Sequence, residues 1–581
     1  MPSSKINRVL PLLLVLLVAL AAVLCANPFG NFAFDDDFAY SNIALQWANT
    51  GAMHYNGWSA HGLLVQVPLG GLLIRAAGFS FDLLRWLTIG FYLLWAGLLY
   101  YFFLEYRIPR VFSAFAVLAV VLCPLTLPLA GSFMCDVYAF CAMFGSLLAG
   151  LIYLRHKESL LRSAGWLSLS LAIGIAGGAD RYNAWAAPLA VILTALVYHW
   201  RRRRFQAVAI AQGLVAVACM WAIVHWLKAR PNFQYHSVHF GVFFTGTAIR
   251  DGIRCILTCF LFGVPLLVAV GGSLAQAARK WKMVAAALGL TAVAVCLVVW
   301  INLHGHMFGP APWLGNMVTP YGILDQGEDL LGQKPVILPD HFRIFLSALA
   351  LFPPILFAIA TMKHSAYERL RSLAADETAR ARLILLVPVV AMVLALAVQK
   401  LPVFDRYLVP ILPCLFVAVA AVRPLPPRPA AAGWLALFLF SAFAIGLTHD
   451  YSAARRASLH LLQQLEARGI DRYDVSAGLE LNGADHLKKA NYLRMCDANP
   501  PAGGDCALGL MNDWRVWEFQ SATFTIGDDY VLAYSDIPGY ERFDALSAPY
   551  TTWIPPAHRQ ILCLRKLANL SDDASLPRNP Q

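Results

Sequence analysis

Apolar blocks of about 17–22 residues recur along this chain, separated by short polar stretches. A helix of that length spans about 30 Å of hydrocarbon with all its backbone hydrogen bonds satisfied internally. Of the 581 residues, 59% are hydrophobic and 14% are charged. A soluble domain carries about 45–50% and about 25%, respectively. The pattern therefore predicts an all-α polytopic membrane bundle and excludes a soluble enzyme.

We predict about thirteen transmembrane helices, each an apolar block bounded by polar loops. The candidate spans lie at about residues 9–26, 82–104, 111–130, 137–154, 163–178, 184–200, 207–227, 253–272, 283–301, 343–362, 383–399, 407–422 and 432–448. The first block could also be a cleaved signal peptide. Its apolar run exceeds the usual length of about 7–15 residues, and Leu24 is not a small residue, which favours a retained helix.

Lys and Arg concentrate in alternate loops, for example at Lys5 and Arg8, residues 201–204 and residues 363–382. Cytoplasmic loops carry such an excess. The distribution predicts a cytoplasmic N-terminus and an extracytoplasmic C-terminal domain in a cell (inner) membrane. It also accounts for the net charge of +11 as a topology signal, so we expect no nucleic-acid partner.

The composition divides the chain into a transmembrane domain, residues 1–448, and a soluble domain, residues 449–581. External loops as long as those at 27–81 and 302–342 are usually functional or disordered. Their content of aromatic residues, Gly and Pro predicts that both are ordered. Within the first loop, helices are predicted at 38–50 and 63–77, each stopped by a glycine. The soluble domain has a mixed α/β pattern, with a helix at 453–468 and a strand at 530–534.

Three adjacent carboxylates, Asp35, Asp36 and Asp37, follow the first apolar block. Adjacent like charges repel, so such a cluster needs a metal ion, basic partners or a shared proton. A helix N-cap would explain one or two acids, because an Asp there satisfies free amide donors. Three exceed that need, and the cluster therefore suggests a general base.

Basic residues on the same predicted side give a second clue: Arg181 lies between two short spans, and Lys400 and Arg406 precede the span at 407–422. Charges at membrane depth are costly and mark substrate paths, although a snorkelling anchor is the alternative. Basic residues facing an acidic cluster across a cavity would hold a phosphate headgroup while a carboxylate deprotonates a hydroxyl. We therefore expect Arg181 and Arg406 to approach each other.

Several segments carry a family resemblance in order and spacing. They are Asp36-Asp37-Phe38-Ala39-Tyr40 with the helix up to Gly51, the Pro-Leu helix at 67–80 followed by Arg85, Asp136, residues 178–188, and Arg406-Tyr407-Leu408-Val409-Pro410-Ile411-Leu412-Pro413. This arrangement resembles the GT-C superfamily of polyprenyl-phosphate-sugar-dependent membrane glycosyltransferases. The nearest branch holds the protein O-mannosyltransferases and the lipid A aminoarabinose transferases, which modify cell-envelope glycans and lipopolysaccharide. The second acid here is Asp37, where the family often has Glu.

The resemblance implies an inverting glycosyltransferase that moves a sugar from a polyprenyl-phosphate carrier to a lipid, glycan or protein hydroxyl. By this resemblance Asp36 is the general base and Asp37 orients it. The donor phosphate is assigned to Arg181, Arg406, Lys400 and Tyr407. Supporting or sugar-binding roles fall to Asp136, Arg85, Tyr40, His306 and Tyr321. A phosphate leaving group with Arg partners needs no cofactor, and a divalent ion held by Asp36, Asp136 and His306 is the alternative.

A polytopic secondary transporter or lipid flippase is the competing class. Transporters have repeat-related halves and broken helices at the membrane midplane, and the sequence has neither. Two assignments stay open: residues 302–342 either cover the sugar or form a structural loop, and the soluble domain either binds the acceptor or packs on the bundle. Cys496 and Cys506 are expected to form a disulfide.

Overall fold

The described part of the chain is mostly helical. This computed structural model describes residues 3–156, 159–234, 246–270, 281–305, 316–324, 330–334, 336–361, 376–399, 404–422, 425–490 and 529–567. The α-helices are α1 (Ser3–Ala26), α2 (Asp37–Thr50), α3 (Gln66–Ala77), α4 (Phe81–Glu105), α5 (Arg110–Val121), α6 (Leu127–Ala130), α7 (Cys135–Arg155), α8 (Leu160–Asp180), α9 (Ala186–Tyr198), α10 (Arg203–Lys228), α11 (Gly246–Phe262), α12 (Val264–Ala269), α13 (Trp281–Gly305), α14 (Asp340–Thr361), α15 (Glu377–Gln399), α16 (Ile411–Val422), α17 (Ala431–Ala467) and α18 (Leu479–Ala490). Short 3-10 helices lie at Tyr182–Trp185, Asp405–Leu408 and Arg472–Asp474.

Six described helices are long and apolar enough to cross a membrane: Val9–Ala26, Phe81–Glu105, Cys135–Arg155, Leu160–Asp180, Arg203–Lys228 and Ala431–Ala467. Each predicted span overlaps a described helix. The protein is therefore a multi-pass membrane protein with the predicted helical bundle, and the count of thirteen stays a prediction.

Two of the predicted spans divide into two α-helices. The span at 111–130 divides into α5 and α6 around Pro124, and the span at 253–272 divides into α11 and α12 at Gly263, just before Pro265. Proline lacks a backbone N–H and disfavours the helical conformation of the preceding residue. The sequence around both prolines is continuously apolar, so each segment was predicted as one span despite its proline.

The loops gather at two opposite ends of the bundle. At one end, Arg155 forms an ion pair with Glu105 (2.5 Å), and the Tyr106 hydroxyl donates to the Arg382 carbonyl (2.9 Å). At the other end, the loop before α2 meets the segment before α16, where Arg406 pairs with Asp35. This grouping separates alternate loops, as a polytopic chain requires.

Membrane sidedness is a testable prediction. Reporter fusions at Gln206 and Gln463 are expected to report opposite sides, because Gln206 begins a span behind four arginines and Gln463 follows the last apolar block. A fusion at Gly51 in the first long loop serves as the control and should report the same side as Gln463. Reporters at Gln206 and Gln463 on one side would overturn the span count.

The first long loop contains two helices, α2 and α3, and each ends at a glycine. Gly51 ends α2 with φ 75, and Gly78 ends α3 with φ 82; their N–H groups donate to Trp47 and Ile74 carbonyls. Both stops were predicted. The start of α3 was predicted three residues too early, because its free N–H groups at Val65 and Gln66 donate to the distant Asp180 carboxylate (2.6 and 3.1 Å). No local signal marks such a cap.

The C-terminal region contains a four-stranded sheet of order β3-β4-β6-β5, formed by β3 (Val475–Ser476), β4 (Tyr530–Ala533), β5 (Tyr540–Trp553) and β6 (Pro556–Lys566). A separate hairpin comprises β1 (Val318–Thr319) and β2 (Gly322–Ile323). Strands β3 and β4 are parallel and the other sheet neighbours are antiparallel. The predicted strand at 530–534 and the mixed α/β character are confirmed. The predicted helix at 453–468 is the second half of α17, which crosses the proposed domain boundary unbroken.

Helix α18 of the C-terminal region packs directly on α2, the helix that follows the acidic cluster. A Cβ added at Gly483 would lie 2.5 Å from Cε2 of the buried Phe38 ring. We expect Gly483→Ala to destabilise the protein by about 1–3 kcal/mol, as overpacking does. Gly97→Ala in α4 is the matched control, because a Cβ there meets nothing within 4 Å. Thermal unfolding in detergent checks this, and equal melting temperatures would contradict the close packing.

Candidate active site

The acidic cluster lies in the turn that joins the first loop segment to α2. Asp35 adopts a left-handed conformation with φ 53, and Asp36 occupies the N-cap position of α2 without a side-chain capping bond. Asp37, the first helical residue, is fully buried. The backbone therefore directs three consecutive carboxyl groups into different surroundings.

Asp37 holds the turn together. One of its carboxylate oxygens accepts the Phe34 N–H (2.6 Å) and the other accepts the Phe133 N–H (3.3 Å). Burial raises the pKa of Asp37 to about 7, against the opposing effects of Arg85 and these N–H groups. Both oxygens are occupied by backbone donors, so Asp37 suits a positioning role.

Arg406 contacts two of the three acidic side chains. Its Nη1 lies 3.0 Å from Asp35 Oδ2, and its Nη2 lies 3.5 Å from Asp36 Oδ2. The Trp58 indole N–H also donates to Asp36 Oδ1 (2.8 Å). The Arg406 side chain is 4% exposed, whereas those of Asp35 and Asp36 are 16% and 21% exposed. Asp36 is therefore the most accessible member of this group.

The two acids differ electrostatically. Burial, followed by the neighbouring Asp36 charge, raises the pKa of Asp35 to about 8, although Arg406 opposes the shift. Asp35 therefore retains its proton at neutral pH. Asp36 accepts the Trp58 N–H and faces the Arg406 guanidinium, an arrangement that stabilises a carboxylate.

Arg181 lies beside the same cluster. It forms an ion pair with Asp136, and its guanidinium carbon is 4.5 Å from the centre of the Tyr407 ring. Burial lowers the pKa of Arg406, but the Asp136 charge, with those of Asp35 and Asp36, outweighs this and holds the pKa above its usual range. Asp136 thus acts on both arginines, and the predicted approach of Arg181 and Arg406 is supported by this shared neighbour.

The acids and arginines were expected to face each other across a cavity. Arg406 instead contacts Asp35 and Asp36 directly, because opposite charges attract strongly where water is scarce. Hydrogen-bonding capacity remains at this site: Arg181 Nη2, Arg406 Nε and both amide atoms of Asn183 are buried without a hydrogen-bond partner among the described residues. Such groups favour a polar ligand, since each costs about 1–3 kcal/mol when unsatisfied.

The other predicted site residues have different positions. Tyr40 is buried on α2, where burial and the Asp36 charge raise its pKa well above 10.0, so its hydroxyl remains protonated. Arg85 is a brace: it donates to Asp82 (2.7 Å), to the Gly131 carbonyl (2.9 Å) and to the Phe32 carbonyl. Tyr321 lines a separate cavity near the C-terminal sheet.

Some predictions fall outside the described residues: Lys400, His306 and the proposed Cys496–Cys506 disulfide. The metal alternative involved Asp36, Asp136 and His306. Among the described residues, no three His, Cys, Asp or Glu side chains are grouped to hold a metal ion.

Sequence reasoning missed a set of residues that support the acidic turn from the C-terminal region. The Tyr451 hydroxyl accepts the Asp35 N–H (3.3 Å) and donates to Glu480, which also pairs with Arg455 (2.9 Å). Glu480 raises the pKa of Asp35, as a smaller effect than burial and Asp36. Tyr451 and Arg455 are four residues apart on α17, which places them on one helix face. No local pattern indicated Glu480.

Comparison with known proteins gives structural likenesses only. No protein-family model matches the sequence, and no curated protein is detectably similar to it. One likeness is to ArnT from Cupriavidus metallidurans bound to undecaprenyl phosphate, which is 15% identical to this chain. The match covers 97% of this chain and 99% of the ArnT chain, with a TM-score of 0.38. The same ArnT in the apo state is 14% identical, and that match covers 95% of this chain and 97% of the ArnT chain, with a TM-score of 0.37.

A second likeness is to the archaeal oligosaccharyltransferase AglB from Archaeoglobus fulgidus, in complex with an inhibitory peptide and a dolichol-phosphate. It is 14% identical, covers 90% of this chain and 64% of that chain, and has a TM-score of 0.43. With TM-scores below 0.5, the role of each site residue rests on contacts within this chain.

Proposed function

We propose that this protein is an inverting membrane glycosyltransferase that moves a sugar from a polyprenyl-phosphate carrier to an acceptor hydroxyl. The observation that carries the proposal is the buried Arg406, which lies against Asp35 and Asp36 beside a second buried arginine, Arg181. Buried arginines with unused donors suit a phosphate, and an adjacent accessible carboxylate suits a general base.

In the proposed mechanism Arg181 and Arg406, with Lys400 and Tyr407, hold the donor phosphate. Asp36 takes the proton of the acceptor hydroxyl as its oxygen bonds to the anomeric carbon of the sugar. The bond between that carbon and the phosphate oxygen breaks, and the lipid phosphate leaves with the bonding electrons. Because attack occurs opposite the leaving group, the anomeric configuration inverts.

The arginines are suited to the charge that develops on the leaving phosphate. Both are held in place before reaction by acidic side chains, Arg181 by the Asp136 carboxylate and Arg406 by Asp36 and the neighbouring Asp35 carboxyl group. Fixed charges of this kind stabilise a transition state by several kcal/mol in a site shielded from water, with order of magnitude about 3–4 kcal/mol per donor.

The proposal also includes the location of the site in the membrane and the class of acceptor. The site would lie at the outer face of the cell (inner) membrane, with a cytoplasmic N-terminus and the C-terminal domain outside. The acceptor is a lipid, glycan or protein, and no cofactor takes part in the steps above. A divalent ion remains the alternative for balancing the acidic cluster.

The direct test is transfer by purified full-length protein in detergent, with synthetic undecaprenyl-phosphate sugars as donors and cell-envelope extracts as acceptors. We expect release of free undecaprenyl phosphate together with an inverted glycosidic product. Mass spectrometry of carrier lipids in a deletion strain should detect the accumulated donor. Movement of the intact lipid across proteoliposomes without sugar transfer would identify a transporter or flippase instead.

A further inference from the structure

The turn between β5 and β6 is apolar, although it belongs to the C-terminal sheet. Residues 549–557 carry no charged side chain, and the tip of the hairpin is the sequence Trp-Ile-Pro-Pro at residues 553–556. Trp553 is 44% exposed, and both Pro555 and Pro556 are exposed as well. Contiguous apolar groups on an exposed turn mark a contact with something other than water.

The backbone of this tip is already satisfied. The Trp553 and Ile554 N–H groups donate to the two oxygens of the Asp450 carboxylate (2.7 and 2.9 Å). Pro555 and Pro556 have no backbone N–H. Among residues 553–556, all of which the structure describes, no backbone N–H is therefore left free. An unpaired N–H is costly in hydrocarbon, so this tip can enter an apolar environment without that cost.

The tip packs against α17 where the apolar half of that helix ends. A Cβ added at Gly446 would lie 2.5 Å from Ile554 Cδ1. The Trp553 ring stacks on the His449 ring, with 3.9 Å between the ring centroids. The apolar block at 432–448 ends immediately before His449. The tip is therefore level with the boundary between hydrocarbon and headgroups, the depth at which Trp is enriched in membrane proteins.

The hairpin also lies on the side of α17 that faces lipid. Leu435, Phe438 and Leu439 are each more than half exposed on this membrane-spanning helix. Successive helical residues are rotated by about 100°, which places Gly446 and His449 within about 40° of Leu435 around the helix axis. The contacts with the hairpin therefore continue the stripe that faces the acyl chains, and the exposed tip residues border the bilayer.

We propose that the tip of the β5–β6 hairpin is a membrane anchor, seated at the boundary between headgroups and acyl chains with Trp553 in contact with phospholipid. The uncharged sequence and the satisfied backbone favour this environment over water. Contact with lipid on the adjoining stripe of α17 favours the bilayer over a partner protein. The proposal does not depend on the glycosyltransferase function.

Asp450 links this anchor to the acidic turn. It accepts both N–H groups of the tip, and the next residue, Tyr451, accepts the Asp35 N–H through its hydroxyl (3.3 Å). Consecutive residues of a helix differ in height by about 1.5 Å. Adjacent residues of α17 therefore hold the tip and the acidic turn, and the bilayer contact fixes the height of that turn relative to the headgroups.

The first test places an environment-sensitive fluorescent amino acid at position 553 of the full-length protein, reconstituted in nanodiscs of phosphatidylethanolamine and phosphatidylglycerol. Phospholipids brominated near the top of the acyl chains should lower its emission by about twofold or more, because a side chain at the Trp level contacts those carbons. The same label at exposed Glu541 is the control, since β5 extends up to about 40 Å between the two positions. Equal bromolipid quenching at both positions would overturn the proposal.

A second measurement uses the unmodified protein, because the label replaces the ring that stacks on His449. Hydroxyl-radical footprinting in the same nanodiscs should oxidise Trp553 less than Tyr540, the partly buried ring at the start of β5, although Trp553 is the more exposed of the two within the protein. Oxidation of Trp553 at or above the level of Tyr540 contradicts the anchor. Protection that vanishes in nanodiscs holding one copy each would assign the tip to a second copy of the chain instead, which also overturns the proposal.

Discussion

Replacing Asp36 by Asn is expected to reduce sugar transfer by about 10²–10⁴-fold, the usual cost of losing a general base. The side chain keeps its shape and its Trp58 hydrogen bond, but it no longer takes a proton. Donor affinity should change little, because Arg181 and Arg406 remain in place. Steady-state transfer by the purified variant, with donor binding measured separately, checks both parts.

Asp35→Asn is the matched control one residue away. The Asp35 pKa is raised to about 8, so at neutral pH the group is protonated and Asn resembles it closely. We expect a loss under about tenfold at pH 7. Above pH 8 the wild-type carboxyl ionises while the amide does not, so the two activities should diverge as the pH rises. A larger loss from Asp35→Asn than from Asp36→Asn would show that the catalytic carboxylate is misassigned.

Arg406→Gln should impair both folding and transfer. Removing the guanidinium leaves the Asp36 carboxylate without its cation and the Asp35 carboxyl group without its hydrogen-bond partner, and breaking a buried ion pair costs about 3–5 kcal/mol in stability. Transfer in the folded fraction should fall by about 10²–10³-fold, as when a preorganised charge is lost. Thermal unfolding and transfer assays normalised to folded protein separate the two effects.

Arg406→Lys and Arg75→Gln refine that comparison. Lysine keeps the charge but cannot reach both acids through a planar fork, so its effect should be intermediate. Arg75 is exposed on α3 and donates to the Ala48 carbonyl (2.6 Å), away from the acidic turn. Its replacement should leave transfer unchanged. Full activity in Arg406→Gln would refute a role for this arginine in donor binding.

The thickness of the membrane's hydrocarbon core made most of the spanning helices predictable from the sequence. A membrane fixes the length of an apolar segment, and glycines such as Gly51 and Gly78 stop the loop helices at the expected positions. The α3 start depends on Asp180, more than one hundred residues away, and no local signal carries such a contact. The sequence likewise predicted a span at 432–448 and a separate helix at 453–468, and no local signal showed that the two form one helix, α17.

The site was predictable in its charges more than in its contacts. Asp36, Arg181 and Arg406 attracted attention because charges are rare and costly beside apolar spans. Asp35 was given no role, since its contact with Arg406 depends on a left-handed backbone at φ 53. Glu480 belongs to a tail of ordinary aqueous composition, where charged residues are common and carry little information.

Because α17 is continuous, it fixes how the C-terminal sheet is rotated about the helix axis relative to the bundle. Its 37 residues form one helix, so inserting a single residue between its apolar half and Tyr451 would rotate everything beyond by about 100° and shift it by about 1.5 Å. Tyr451 would then turn away from the acidic turn. A seven-residue insertion, nearly two full turns, would restore the angle while lifting the sheet by about 10 Å. Chimeras that exchange C-terminal domains must therefore preserve the helical register as well as the junction sequence.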